Sequence, residues 1–374
     1  MTPAVAVIRE LRKRGYENFL WCGRRKTMKG DVCDSAEYRL VHEDMKIEFR
    51  DITMGKIVRF SDLKTFLEFF ENIIKIPIGF IQAFVTLLKY KPSAIISFGG
   101  YLAIPFVIIG KFFGIPSVTH EQTVVLGLAN KIVSKFVDKI LISWEEGEKY
   151  FPAKKTIITG NPVRKEVLNV TTDLFNLNEK PRTIYITGGN QGAHIINKNV
   201  ESIIENLLKK YNVIHQTGTN TLTGDFERLD KLSKSLTGKT KGNYIVKGTI
   251  YGPEIGEIFQ KADLLVSRSG ANICLDILAT GNLAILIPIP WSINNEQFKN
   301  AKVLEKIGIG KILEEKNLKP EKLEEFIEEG MKSLKKGKDF NGKSLKNTIK
   351  AAKARVRLDA AERIVDEVVR VSKK

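Results

Sequence analysis

The chain has 374 residues, 43% hydrophobic and 28% charged, which is too long for one ordinary core and too apolar for a disordered chain, so two globular domains suit it. The formal net charge of +17 admits nucleic acid, an anionic membrane surface or a solubilising coat as explanations, and no aromatic RNA-binding pattern or zinc spacing supports nucleic acid. Cys22, Cys33 and Cys274 are odd in number and without ligand spacing, which suits free thiols in a reducing compartment.

Met1 to Tyr16 reads as a charged helix start rather than a secretory signal, because Arg9, Glu10, Arg12, Lys13 and Arg14 interrupt any apolar stretch. Strand patterns follow at Glu17–Trp21, Ala94–Ser97, Ser117–Thr119, Lys139–Ile142 and Thr156–Thr159. Helical patterns between them cover Ala4–Arg14, Lys64–Lys89, Tyr101–Phe113 and Leu126–Phe136. The uncharged run Ala94–Gly110 contains Gly99, Gly100 and Pro105, and reads as strand, turn and buried helix rather than a membrane span. The turn Gly160-Asn161-Pro162 marks the join between domains.

The second half repeats the alternation. Strands are expected at Thr183–Ile186, Asn212–His215, Tyr244–Val246, Leu264–Val266 and Ala284–Ile287, and helices at Ala193–Lys209, Glu254–Lys261, Ala271–Ala279, Asn295–Ile307 and Pro320–Ser333. Such alternation makes parallel sheets covered by helices on both faces. The run Lys332–Arg357 is densely basic, with Asp339 as its one acid, and reads as a solvated helix face. The last helix, Leu358–Val371, carries an apolar stripe that must be buried, and covering the first domain is one solution. The expected division is 1–162, 163–357 and a C-terminal helix 358–374 returning to the first domain.

Thr2-Pro3 opens a helix directly, although a doubly wound domain normally delivers its first helix from a strand. The expectation is that the sequence starts downstream of that strand.

Glycine-rich turns carry the chemistry. Thr183–Ile186 runs into Thr187-Gly188-Gly189-Asn190-Gln191-Gly192-Ala193 and then a helix, a layout whose helix N-terminus offers amide donors to a diphosphate. The nicotinamide Gly-x-Gly-x-x-Gly spacing is absent from it. Similar turns are Ser97–Tyr101 and Ser267-Arg268-Ser269-Gly270-Ala271. Asp276, one and a half turns into the next helix, is placed to accept two ribose hydroxyls. Three turns at strand ends are expected to face one cleft, donor on one domain and acceptor on the other.

His120-Glu121-Gln122 with Gly127–Lys131, Gly160–Arg164, Gly188–Ala193, Ser267–Ala271, Gln297–Ala301 and Asp359–Ile364 together resemble, in order and spacing, the peptidoglycan GlcNAc transferases of the MurG type. The resemblance implies an α/β GT-B fold of two Rossmann-like domains. It also implies inverting transfer of GlcNAc from UDP-GlcNAc to the undecaprenyl-diphosphate-linked muramyl-pentapeptide on the cytoplasmic membrane face, without cofactor or required metal. By matched position, Arg164 contacts uracil, Asp276 the ribose, and the loop Gly188, Gly189, Asn190 and Gln191 the diphosphate and donor. Gln297 and Asn300 hold the GlcNAc hydroxyls, Gly252 lies in a loop whose backbone faces the base, and Ser269 and Gly270 belong to the donor turn. Thr123 stands where the family has a sugar-contacting Asn, Asn190 where it has Ser, and Asp276 where it has Glu.

The family's opening strand and Gly-Gly-Thr-Gly-Gly-His loop, which binds the acceptor diphosphate and carries a candidate base, has no counterpart before Thr2-Pro3-Ala4. His120 and Glu121 are the remaining weak catalytic candidates, and transfer by this chain is expected to be poor. Alternatives are a UDP-sugar-binding pseudoenzyme, another GT-B glycolipid glycosyltransferase or a UDP-GlcNAc 2-epimerase, and a basic nucleic-acid binder.

Finally, Lys64–Lys89 is rich in Phe and Ile, from Phe66, Phe69 and Phe70 to Ile81 and Phe84, and is flanked by lysines. It is expected to form two short helices broken at Pro77, with part of their surface attaching to an anionic membrane.

Overall fold

A computed structural model describes residues 2–26, 34–55, 63–175, 177 and 180–373, with the side chains of 36, 63–68 and 293 excepted. Cys33 and the Phe66 side chain therefore lie outside the described residues. The chain divides into two compact units, Met1–Pro162 with Asp359–Lys374, and Val163–Leu358.

The first unit opens with helix α1 (Thr2–Lys13), whose apolar stripe buries Ala4, Val7, Ile8 and Leu11. Strands β1 (Leu20–Gly23) and β2 (Glu48–Asp51) pair in parallel, Leu20 opposite Glu48 and Gly23 opposite Asp51. The sequence reading missed β2, because Glu48-Phe49-Arg50-Asp51 is too charged to read as a strand. Next come α2 (Leu63–Tyr90), β3 (Ile95–Ser97), α3 (Ala103–Phe112), β4 (Ser117–Glu121), α4 (Leu128–Val133), β5 (Lys139–Ile142) and β6 (Thr156–Ile158). Strands β3 to β6 form a parallel sheet in sequence order, separate from the β1–β2 pair. The two ladders nonetheless share an apolar cluster, in which Cys22 and Ile95 pack against Ile52, Leu87 and Phe106.

The expected break at Pro77 is corrected: α2 runs unbroken through it. Proline removes one backbone donor and crowds the preceding turn, but it fixes φ at a helical value, and the flanking residues supply enough helical hydrogen bonds to carry the helix on. Its segment Phe69–Tyr90 is long and apolar enough to cross a membrane by length and composition alone, and only 22% of that window is buried.

The second unit contains β7 (Thr183–Thr187), α5 (His194–Leu208), β8 (Asn212–Gln216), α6 (Asp225–Leu236), β9 (Tyr244–Lys247), α7 (Pro253–Lys261), β10 (Ala262–Ser267), α8 (Ala271–Thr280), β11 (Leu283–Leu286), α9 (Glu296–Ile307), β12 (Gly310–Ile312), α10 (Pro320–Lys335) and α11 (Leu345–Ala354). The parallel sheet has the order β12-β11-β10-β7-β8-β9. Its central strands are buried on both faces and read as continuous apolar runs, as a sheet with helices on both sides requires. Strand order reverses between β7 and β10, and ligands of such sheets bind outside the carboxyl ends of the strands at this point. Register sets Thr187 opposite Ser267 on one side and Gln216 on the other, so the loops leaving β7, β8 and β10 begin at one level.

A last helix, α12 (Ala360–Ser372), belongs to the first unit. Its stripe Ile364, Val365, Val368 and Val371 is buried with Val7 and Leu11 of α1 and with Val118 and Leu141 of the sheet. Arg14 Nη1 lies 2.6 Å from Asp366 Oδ1 across the same contact.

Candidate functional site

The loop after β7 is shaped by glycines where nothing else fits. Gly189 and Gly192 have φ of +88° and +79°, values that L side chains rarely adopt. A Cβ on Gly192 would lie 2.0 Å from the carbonyl oxygen of Thr217, and one on Gly188 would lie 2.3 Å from the amide nitrogen of Ala193. The loop is therefore packed backbone to backbone against the end of β8 and against the start of α5. Thr187 Oγ1 accepts from the Gly189 amide at 2.9 Å. Gln216, which the sequence reading did not single out, accepts from the buried Tyr185 hydroxyl at 2.7 Å and donates to Asn190 Oδ1 at 3.3 Å. Gly189, Asn190 and Gln191 remain exposed at the N-terminal end of the 15-residue helix α5. That end carries unpaired amides and the positive end of the helix dipole, the chemistry that receives a diphosphate.

The loop after β10 is held from α9. Ser269 Oγ donates to the Gln297 carbonyl at 2.9 Å, and the Asn300 amide donates to the Ser269 carbonyl at 3.1 Å. Gln297 Oε1 accepts from the amides of Ile289 at 3.2 Å and Ser269 at 3.4 Å. Ser269 and Asn300 are fully buried, so Asn300 shapes the turn from beneath. A Cβ on Gly270, at the start of α8, would meet no atom within 4 Å. Arg268 is buried too, paired with Glu315 at 2.6 Å. Glu315 is a partner that no motif revealed.

Arg164 and Asp276, far apart in sequence, meet here. Arg164 Nε donates to Asp276 Oδ2 at 2.9 Å, and the guanidinium's Nη2 donates to the same oxygen. Asp276 is 1% exposed. Burial raises its carboxyl pKa, and the Arg164 charge, side chain and backbone amide pull it back. Gly252 (φ +54°) opens α7 just before Pro253, with no atom within 4 Å of where its Cβ would be.

In the first unit, His120 is completely buried. Its Nε2 donates to the Gly160 carbonyl at 2.9 Å and its Nδ1 has no partner among the described residues. Burial pushes its pKa down to about 4, so it stays neutral. The buried Glu121 carboxylate is fully occupied: Oε1 accepts from the Thr123 amide at 3.1 Å, and Oε2 from the Asn130 amide at 2.8 Å and the Gly127 amide at 3.3 Å. The Thr123 hydroxyl lies 2.6 Å from the Val125 carbonyl. Glu121 thus holds the 122–130 segment and His120 is tied to Gly160; both side chains are buried, so neither presents an accessible atom to an attacking hydroxyl.

A doubly wound parallel sheet with glycine loops at its switch point, an anion-receiving helix start and an Arg–Asp pair with the carboxylate buried is the layout of a nucleotide-binding α/β domain. Comparison with known proteins gives its family. The glycosyltransferase family 28 N-terminal domain matches residues 1–142, and the family 28 C-terminal domain matches residues 183–358. UDP-N-acetylglucosamine--N-acetylmuramyl-(pentapeptide) pyrophosphoryl-undecaprenol N-acetylglucosamine transferases are similar across nearly the whole chain. The one from Clostridium perfringens is 32% identical, covering 91% of this chain and 92% of the relative. That from Thermoanaerobacter is 32% identical, covering 97% and 94%. Among solved structures, Acinetobacter baumannii MurG superposes with a TM-score of 0.67 at 24% identity, over 98% of this chain and 95% of that one. The calicheamicin glycosyltransferase CalG4 does so with a TM-score of 0.66 at 12% identity, over 100% and 95%. The chain belongs to the peptidoglycan GlcNAc transferases of glycosyltransferase family 28, and the motif resemblance is borne out. It is a hexosyltransferase.

Proposed function

We propose that the protein transfers GlcNAc from UDP-GlcNAc to the 4-hydroxyl of the muramyl residue on the undecaprenyl-diphosphate-linked pentapeptide, with inversion at the sugar. The acceptor hydroxyl oxygen attacks C1 of GlcNAc, the bond from C1 to the diphosphate oxygen breaks, UDP leaves, and the hydroxyl proton passes to water. The observation that carries this reading is the convergence, in the second unit, of the 188–193 loop, the 268–271 turn and the Arg164–Asp276 pair around one switch point. Gly188, Gly189, Asn190 and Gln191, with the α5 start, take the diphosphate and offset the charge that develops on it as UDP departs. Arg164 and Asp276 act as one unit toward the uridine, Gly252 lies by the base, and Gln297 holds GlcNAc hydroxyls. Asn300, being buried, acts on the sugar through Ser269 and Gly270. Domain roles follow: 163–357 holds the donor, and 1–162 with the C-terminal helix serves the acceptor.

The acceptor is a membrane lipid, so the first unit works at the cytoplasmic face of the membrane as a peripheral protein. Supporting this, α2 exposes Phe70, Ile73, Ile74, Ile78, Ile81, Phe84, Val85 and Leu88, and Phe112 at the end of α3 is 82% exposed. The tilted rings of Phe84 and Phe113 pack with centroids 5.4 Å apart, which joins α2 and the end of α3 into one apolar surface. Lys75, Lys89 and Lys111 lie within or beside it.

The test is transfer of labelled GlcNAc from UDP-GlcNAc to the lipid-linked acceptor in detergent or vesicles. Formation of the lipid-linked disaccharide with release of UDP is the expected result. UDP binding without transfer would make the chain a donor-binding pseudoenzyme, and 2-epimerisation of the donor would place it with another activity.

A further inference from the structure

The donor-side unit carries a surface that the reaction leaves unused. Lys332 to Arg357 contains ten Lys and Arg residues. All eight of its lysines, Lys332, Lys335, Lys336, Lys338, Lys343, Lys346, Lys350 and Lys353, are exposed. None of the eight has an ion-pair partner among the described residues, whereas Lys302 and Lys322 of the same unit pair with Glu305 and Glu325. The single acid, Asp339, is 1% exposed and turned inward. Its carboxylate accepts from the amides of Asn341 at 2.9 Å and Lys343 at 2.7 Å, and from the Thr348 hydroxyl at 2.6 Å. Asp339 thus clamps the turn that presents the lysines and offers them no counter-charge outside.

Helix α11 extends this surface. It buries Thr348 and Ala352, while Lys346, Lys350 and Lys353, spaced i, i+4 and i+7, share the opposite face. Lys306, also exposed and unpaired among the described residues, borders a pocket of about 550 Å³ next to Phe340 and Asn341 of the same turn. Holding so many like charges together costs energy unless an opposite charge meets them.

We propose that this lysine surface docks on the headgroup plane of an anionic bilayer, giving the donor-binding unit its own membrane contact. The proposal rests on the reading of this enzyme as a membrane-surface transferase. A plane of lipid phosphates suits it because the groups are solvated point charges on flexible stems, which need no fixed partner geometry. A protein partner would call for aromatic or aliphatic anchors, and none of the exposed large hydrophobics falls between 332 and 357. A single-stranded nucleic acid would call for a stacking platform, and the one aromatic in this segment, Phe340, is half-buried.

The experiment is co-sedimentation of the full chain with phosphatidylcholine vesicles and with vesicles that also contain phosphatidylglycerol, over a range of salt. It compares the wild type, a Lys343→Gln/Lys346→Gln/Lys350→Gln/Lys353→Gln variant, and the same four changed to Arg. The Gln variant should bind anionic vesicles roughly tenfold to a hundredfold more weakly, with a flatter salt dependence, bind neutral vesicles like wild type, and be restored by Arg. UDP affinity by calorimetry confirms that it is folded. Unchanged binding and salt dependence in the Gln variant overturn the proposal while leaving the membrane reading intact. Loss of RNA homopolymer binding in the Gln variant with vesicle binding unmoved also overturns it. Failure of wild type to bind any vesicle overturns the membrane reading and this inference together.

Discussion

The guanidinium of Arg164 closes over the carboxylate of Asp276, with two of its nitrogens donating to the one oxygen Oδ2 of a side chain that is 1% exposed. The two residues proposed to meet the uracil and the ribose are therefore one electrostatic unit, and neither changes without the other.

Arg164→Ala should weaken UDP binding by about 1.5–3 kcal/mol, the worth of a hydrogen bond to a charged group. It should also lower the melting temperature, because Asp276 is left buried without its cation. Calorimetry and thermal unfolding measure the two effects. A variant that keeps wild-type stability and loses only UDP affinity would show that the pair is not a unit.

The glycines of the donor loop should differ in their tolerance of a methyl group. Gly192→Ala meets both a left-handed φ and a carbonyl oxygen 2.0 Å from the new Cβ, while Gly189→Ala meets the φ penalty in open space. Gly189→Ala is expected to cost about 1 kcal/mol and Gly192→Ala distinctly more, with loss of UDP affinity in the second. Denaturant titration of both variants ranks them, and the reverse order would contradict the loop geometry.

Acidification should destabilise the protein below neutrality. Burial lowers the folded-state pKa of His120 to about 4 and of His215 to about 3, from an ordinary 6.5. The unfolded chain therefore binds more protons in this window. The stability from neutral burial is fully present above pH 6.5 and is lost as pH falls through the folded values, by a few kcal/mol for each histidine. Chemical unfolding from pH 8 to 4 should show this slope, and His120→Gln or His215→Gln should flatten it.

Replacing Ile74 and Ile81, 68% and 63% exposed on α2, by Ser should reduce vesicle binding and leave UDP affinity unchanged. Each isoleucine buried in lipid contributes up to about 1.5–3 kcal/mol. Vesicle flotation reads the loss, and unaltered flotation would remove α2 from the membrane contact.

Much of the fold was legible because its signals are local. The runs Thr183–Ile186 and Leu264–Val266 read as strands because a strand buried on both faces is continuously apolar, and the structure extends them only by a residue or two. Strand β2 and helix α6 escaped notice because Glu48–Asp51 and Asp225–Leu236 are charged and polar at positions where the surrounding fold, not composition, sets the conformation. Pro77 misled for a related reason: a proline's local penalty reads as a break, yet the helix on either side outweighs it.

For the site, the sequence alone determined which residue types stand at which strand ends, since glycine loops and helix starts are written within a few consecutive residues. It could show neither that Arg164 and Asp276, 112 residues apart, share one carboxylate oxygen, nor that Glu121 is filled by Thr123, Gly127 and Asn130. Those facts belong to tertiary structure. Whether a carboxylate is open or spent depends on which donors the packed sheet and helices bring within hydrogen-bond reach, and on how much water burial removes. Both are set by contacts between segments that are distant in the chain.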